Sequence, residues 1–165
     1  MDTLTGTLKV NIATTVGKTA DFGNATQSVN STKTITLSFG TVANQANQMF
    51  ADSRTLAGSA SESLDLSGSL TNAFGETIAL TRIVALYIEN TSTTDSIEVG
   101  GAASNAVASI FGATADTIKI RPGGFLLLGG ADVTGYAVVA ATADLLKVAN
   151  LGAGSTTYKI IIFGS

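Results

Sequence analysis

Residues that could do chemistry are few in this chain, and the side chains that many active sites require are missing. There is no His and no Cys, so no imidazole or thiolate can hold a metal ion, and a serine nucleophile would have no histidine base. The 12 acidic residues are scattered and lack the D-x-[DN]-x-[DN]-G spacing of a calcium loop. Two carboxylates could still meet in the fold, as in glycosidases, but we expect solvated surface charges. The sequence predicts a non-enzymatic protein with no metal and no cofactor.

One short motif, Gly17-Lys18-Thr19, resembles the end of a nucleotide-binding P-loop. The full motif requires a glycine five positions before Gly17, where Ile12 stands. The net charge of −3 and the pI of about 4.7 argue against a nucleic-acid partner, because phosphate binding requires a basic patch. No apolar run approaches the roughly 18 residues of a membrane span, and the N-terminus lacks a signal-peptide pattern. We therefore expect no nucleotide, no nucleic acid and no membrane partner.

The composition favours β structure. The chain is 45% hydrophobic and only 13% charged, against roughly 25% charged in average proteins. Thr is abundant and favours strands, while the 18 glycines mark turns and Pro occurs once. The apolar side chains are expected to form a core, subunit interfaces, or both. At 165 residues the chain is long enough for one domain with an appendage.

The stretch at residues 118–128, IKIRPGGFLLL, is the one around which we expect the fold to be organised. Ile118 and Ile120 alternate with charged residues, which indicates a half-buried strand. Pro122-Gly123-Gly124 predicts a type II turn, and an apolar second strand follows it. Type II geometry matches the twist of a hairpin poorly, so this turn is predicted to be a corner between two sheets.

From residue 62 onward, about eight short strands with glycine-rich turns predict an antiparallel, jelly-roll-like β-sandwich. The candidates at residues 77–90 and 158–163 are apolar on both faces, so loops or another copy must cover the second face. We expect a homodimer or homotrimer. The side chains predicted to be mainly buried are Val84, Leu86, Ile88, Ile118, Ile120, Leu146, Val148, Ile160 and Ile162.

Three segments show helical spacing. Residues 41–54 are compatible with a short helix and equally with an irregular linker. Residues 70–74 suggest a single helical turn closed by Gly75. Residues 102–112 fit either a helix ending at Gly112 or a long loop between sheets.

The first 45 residues are predicted to form a β-hairpin arm, separate from a body at residues 46–165. Two amphipathic strands are expected, joined by a polar, exposed loop at residues 17–32. Two strands alone are marginal in water, so their apolar face must dock on the body or on another subunit. The predicted partner-binding residues are Leu8, Val10, Ile12, Ile35, Leu37 and Phe39. The alternative is that these strands complete the protein's own sandwich.

Residues 45–165 carry a resemblance to known proteins through LDLSG at 64–68, VGGAASN at 99–105 and RPGG at 121–124. With these segments the chain resembles small virion proteins of tailed bacteriophages, in particular the jelly-roll cement, or decoration, proteins. The resemblance implies a non-enzymatic protein that binds the major capsid protein on the outer surface of the virion and stabilises the shell. A tail or fibre module, structural or for adsorption, is the alternative, and a carboxylate-pair hydrolase is a more distant one.

Overall fold

The computed structural model describes residues 3–165, and within them the fold is all β, as predicted. Twelve strands lie in this part of the chain. In chain order they are β1 (Gly6–Ala20), β2 (Gly23–Phe39), β3 (Gln45–Ala46), β4 (Gln48–Leu56), β5 (Ser61–Asp65), β6 (Arg82–Asn90), β7 (Ile97–Gly100), β8 (Thr117–Ile120), β9 (Phe125–Gly129), β10 (Tyr136–Ala137), β11 (Leu145–Asn150) and β12 (Thr156–Gly164).

The body is a sandwich of two antiparallel sheets. One sheet has the order β4-β12-β6-β9, and β10 lies beyond β9 along the same edge of β6. The other has the order β5-β11-β7-β8. The chain passes between the sheets at most of its connections, and only β7–β8 and β9–β10 are consecutive strands of the same sheet within the body. The predicted β-sandwich class is confirmed.

The main core fills the space between the two sheets. Leu86, Ile88, Ile160 and Ile162 on one inner face pack with buried side chains such as Leu146 on the other. This follows from the period-2 alternation of each strand, which sends every second side chain inward. The nine side chains predicted to be buried are so, except Ile118, which is half-buried because β8 is the outermost strand of its sheet.

The predicted corner is present. The N–H of Gly124 donates to the carbonyl of Arg121 at 2.9 Å, and Gly123 has a φ of 67°, as a type II turn requires at its third position. β8 before the turn belongs to one sheet, and β9 after it belongs to the other. The single Pro-Gly-Gly sequence therefore moves the chain across the sandwich.

The arm is a longer hairpin than predicted. β1 and β2 pair without interruption from Gly6–Leu37 to Ala20–Gly23, so the loop expected at residues 17–32 is wrong and only a two-residue turn separates the strands. Cross-strand contacts between polar side chains accompany the pairing, including Thr32 Oγ1 to Asn11 Oδ1 at 3.0 Å. β3 pairs in parallel with the end of β2 and connects the arm to the body. The division at residues 45 and 46 stays a prediction.

The helical alternatives are wrong within the described residues. Residues 41–54 contain β3 and most of β4, in which Met49 and Phe50 point to opposite faces of the sheet. Residues 70–75 form a turn, because the Asn72 carboxamide oxygen accepts the N–H groups of Phe74 and Glu76, a local bond that competes with a helix. Residues 102–112 form an irregular loop with turns, which was the other alternative.

Candidate functional site

One face of the hairpin is apolar along most of its length. The register places even-numbered residues of β1 and odd-numbered residues of β2 on this face. Its apolar members are Leu8, Val10, Ile12, Val16, Val29, Ile35 and Leu37. The opposite face is almost entirely Thr, Ser, Asn and Lys. The predicted partner-binding set did not include Val16 or Val29, although pairing the strands back from a two-residue turn would have placed both on this face.

The base of this face docks on the body. Leu37 is fully buried, and Leu8 and Ile35 are half-buried in a second hydrophobic cluster. That cluster also contains Leu4, Ala46, Met49, Val84 and Phe163. Val84 points outward to the arm because the β6–β12 register shifts beside it, between Phe163 and Gly164. These three arm residues pack on the protein's own body, although β1 and β2 belong to a separate sheet, and Leu37 has no surface left for a partner.

The remaining predicted residues are exposed. Val10, Ile12 and Phe39 have exposed fractions of 39%, 60% and 44%. Every residue of β1 after Leu8 is exposed, and Phe22 at the hairpin turn is completely so. At about 3.3 Å per residue, the hairpin projects roughly 35 Å from the body. An isolated two-stranded hairpin is only marginally stable in water, so this apolar face is typical of a surface that another molecule covers.

The outer face of the β4-β12-β6-β9 sheet is apolar beneath and beside the arm. A groove of about 240 Å³ lies between β1 and side chains that include Ala85, Tyr87, Leu127 and Ile161. Phe125 on β9 is 65% exposed, and its ring centroid lies 6.0 Å from that of Tyr87. Strand alternation gives the other sheet a different outer face, with Glu98, Lys119 and Lys147. Only the first sheet therefore has an apolar outer surface.

Charge is distributed unevenly between the arm and the body. Residues 1–45 contain Lys9, Lys18 and Lys33 with Asp2 and Asp21, a net charge of +1. Residues 46–165 contain 6 basic and 10 acidic side chains, a net charge of −4. Such an asymmetry favours contacts between an arm and a body over contacts between like parts of two molecules.

A cavity of about 380 Å³ lies beside Phe39, at the base of the arm. Part of its polar lining is used within the chain, whereas the buried Oδ1 of Asn47, which also lines it, has no hydrogen-bond partner. Gln48 donates to the carbonyl of Ala79 and accepts the N–H of the same residue, and Asn72 organises its own turn. The amides of Gln48 and Asn72 hold residues 72–79 in place.

The one close grouping of carboxylates around an arginine lies at β4 and β5 in the described residues. Arg54 donates to Asp52 Oδ2 at 2.9 Å and to Glu62 Oε2 at 2.8 Å. The Tyr158 hydroxyl donates to Glu62 Oε1 at 3.1 Å. The bond to Glu62 is the main cause that raises the pKa of Arg54, so the guanidinium stays charged and forms ion pairs with both acids. The arrangement is that of a structural ion cluster, since both carboxylates are hydrogen-bonded to the same guanidinium.

This cluster leads to a prediction for alkaline pH. Burial, followed by the Glu62 charge, raises the pKa of Tyr158 above its ordinary value of 10. Above pH 10 the unfolded chain therefore loses the tyrosine proton while the folded chain keeps it, so the unfolded state binds fewer protons. The free energy of unfolding should fall as pH rises above 10, by up to about 1.4 kcal/mol per pH unit from this group.

Urea unfolding of the wild type and of Tyr158→Phe, from about pH 8 to pH 11.5, measures this dependence. Tyr87, whose pKa is raised chiefly by burial, contributes in the same direction in both proteins. We expect the Tyr158→Phe variant to lose stability less steeply above pH 10. Identical slopes in the two proteins would contradict the assignment.

Comparisons of the chain with protein-family models, with curated proteins and with solved structures found no match. Within residues 3–165, no cluster of three or more acidic side chains is placed to hold a metal ion. No helix in the same residues is long and apolar enough to cross a membrane. A proposal for the function therefore depends on the arm, the apolar sheet face and the distribution of charge.

Proposed function

We propose that this protein is a bacteriophage capsid cement, or decoration, protein that binds the outer surface of the major capsid protein shell and stabilises it without catalysis. The observation that supports this most is the long amphipathic hairpin that projects from a rigid jelly roll. A cement protein needs a stable body on the surface and an apolar element that reaches across the joint between neighbouring subunits. The resemblance of residues 45–165 to such proteins supports the same role.

The distal part of the arm, residues 13–30, is the attachment element in this proposal. It carries Val16, Val29 and the fully exposed Phe22 at the point farthest from the body. Burying three large apolar side chains contributes about 5 kcal/mol gross at roughly 1.5 kcal/mol or more for each. Ordering the hairpin offsets part of this gain, so the net contribution of one arm is small. The shell is stabilised because many copies bind to it at once.

A shortened arm tests the proposal. Residues 13–30 are replaced by Asn-Gly, which closes the hairpin at the Ile12–Ser31 pair. That pair lies eight residues from Ala20–Gly23, which flanks the natural two-residue turn, so it has the same hydrogen-bonding type. We expect near-wild-type thermal unfolding, because residues 13–30 are all exposed, together with loss of co-sedimentation with expanded capsids that lack their cement protein.

The full-length protein with Thr15→Ala and Ser28→Ala is the matched control, since both residues lie on the polar face of the same segment. We expect it to bind capsids like the wild type. Unchanged binding by the shortened arm would show that the distal arm is not the attachment element. A tail or fibre module, the alternative, predicts labelling at the tail and few copies per particle instead of many over the shell.

A further inference from the structure

The part of the arm nearest the body has a different geometry from its tip. Leu8, Val10, Lys33 and Ile35 line a cavity of about 190 Å³ together with Leu127 and Gly129 of β9. A side chain at Gly129 would collide with Ile35, because an added Cβ would lie 2.8 Å from Ile35 Cδ1. The arm therefore crosses the outer face of the sheet closely and leaves it at β9.

β9 is an edge strand. In the described chain it pairs with β6 alone, so its other edge has no partner strand. The next residue of the apolar arm face, Ile12, is 60% exposed, and the apolar sheet face continues beneath the arm to the exposed Phe125. Two apolar surfaces, one on the arm and one on the sheet, thus meet at the same edge of the molecule, and each is only partly covered within the chain.

We propose that the proximal arm face, defined by Val10, Ile12 and Lys33, docks on the outer sheet face of a second copy, defined by Tyr87, Phe125 and Leu127, in a symmetric dimer. The two β9 edges lie side by side in this arrangement, and each arm covers the sheet of the other molecule. A two-fold pair of this kind is closed, because both copies use both surfaces.

Three observations favour a second copy as the occupant. The base of the same arm face already packs on the same sheet face within one chain, so the two surfaces are complementary, and the new interface continues an existing one. The arm is positive and the body is negative, which favours an arm on the body of another copy. Lys33 is on the apolar arm face. Glu89 borders the sheet surface, and its Oε2 lies 3.5 Å from Nζ of Lys159 in an ion pair.

The distal arm cannot pack on the sheet of its own molecule, because the uninterrupted β1–β2 ladder carries it away from the body. The proposed dimer uses residues near the body and does not depend on a capsid. It is therefore separate from the capsid function, and the Asn-Gly replacement of residues 13–30 leaves it intact.

The test is the mass in solution, measured by sedimentation equilibrium at about 10 µM and above. We expect a dimer for the wild type, and at least a tenfold weaker dimer for Ile12→Asp and for Phe125→Asp, whose side chains are exposed and whose folding should be unaffected. Ala13→Asp is the matched control, because Ala13 is the next residue but lies on the polar face. Its mass should equal that of the wild type.

The absence of cysteine from the chain allows a geometric test. Purified Ile12→Cys mixed with purified Phe125→Cys should give a disulfide-linked heterodimer under mild oxidation, whereas Ala13→Cys mixed with Phe125→Cys should not. A monomeric wild type, equal cross-linking by the two mixtures, or a dimer unaffected by Ile12→Asp would overturn the proposal. A monomer whose capsid binding is lost on Ile12→Asp would assign this face to the capsid protein instead.

Discussion

Replacing Ile160 with aspartate is expected to prevent folding. Ile160 is fully buried on β12, between β4 and β6, and its side chain points into the core between the two sheets. An aspartate there would place an unpaired carboxylate among aliphatic side chains. The cost of several kcal/mol is comparable with the whole stability of a typical domain, about 5–15 kcal/mol. Circular dichroism and the dispersion of the proton NMR spectrum measure the outcome.

Ile161→Asp is the matched control for this variant. Ile161 is the next residue on β12, but it lies on the outer face of the sheet and is only half-buried. We expect this variant to fold with a modest loss of stability, because its carboxylate can reach water. A cooperatively folded Ile160→Asp protein with a wild-type unfolding midpoint would show that the core does not lie between these two sheets.

Replacing Arg82 with methionine should lower the free energy of unfolding by about 3–5 kcal/mol. Arg82 is 6% exposed, and its guanidinium joins separate parts of the chain. Its Nε donates to Ser165 Oγ at 2.8 Å, its Nη1 donates to the carbonyl of Asp132 at 2.9 Å, and its Nη2 donates to the carbonyl of Val42 at 2.9 Å. Methionine fills similar volume but leaves these acceptors without donors.

Arg82→Lys should be intermediate, because an ammonium has three donors and cannot reproduce the planar fork of a guanidinium. Arg121→Met is the control, since Arg121 is exposed, and it should change stability by less than about 0.5 kcal/mol. Chemical denaturation of the three variants and the wild type gives the comparison. Equal stability of Arg82→Met and Arg121→Met would mean that the hydrogen bonds of Arg82 contribute nothing to the free energy of unfolding.

Strands buried on both faces or on one face were predictable from the sequence. The alternation around Ile118 and Ile120 corresponds to the position of β8 at the edge of its sheet. The sequences of β6 and β12, apolar on both faces, correspond to their positions inside the other sheet. The Pro122-Gly123 turn was predictable as a corner for a local reason, since its dihedral angles suit a change of sheet better than a hairpin. In each case the information is contained in a few neighbouring residues.

The predictions for β4 and for the distal hairpin were wrong for a common reason. In β4, Met49 and Phe50 are neighbours that both contact apolar surfaces, one under the arm and one in the core, so the strand showed no alternation. In the distal hairpin, Val16 and Val29 stand alone among polar residues because most of the surface faces water. Periodicity reports burial, and it is weak where burial occurs on both faces or on neither.

The sequence by itself determined the all-β class, the two-sheet body, the sheet-crossing turn and the absence of imidazole and thiol chemistry, because residue type and local alternation are sufficient for each. Only the tertiary structure decided which of Leu8, Val10, Ile12, Ile35, Leu37 and Phe39 are exposed. It also decided that Val84 turns outward to meet the arm and that Arg82 joins distant loops. These features depend on contacts between residues far apart in the chain, whose register and burial are set when the sheets and the hairpin pack together.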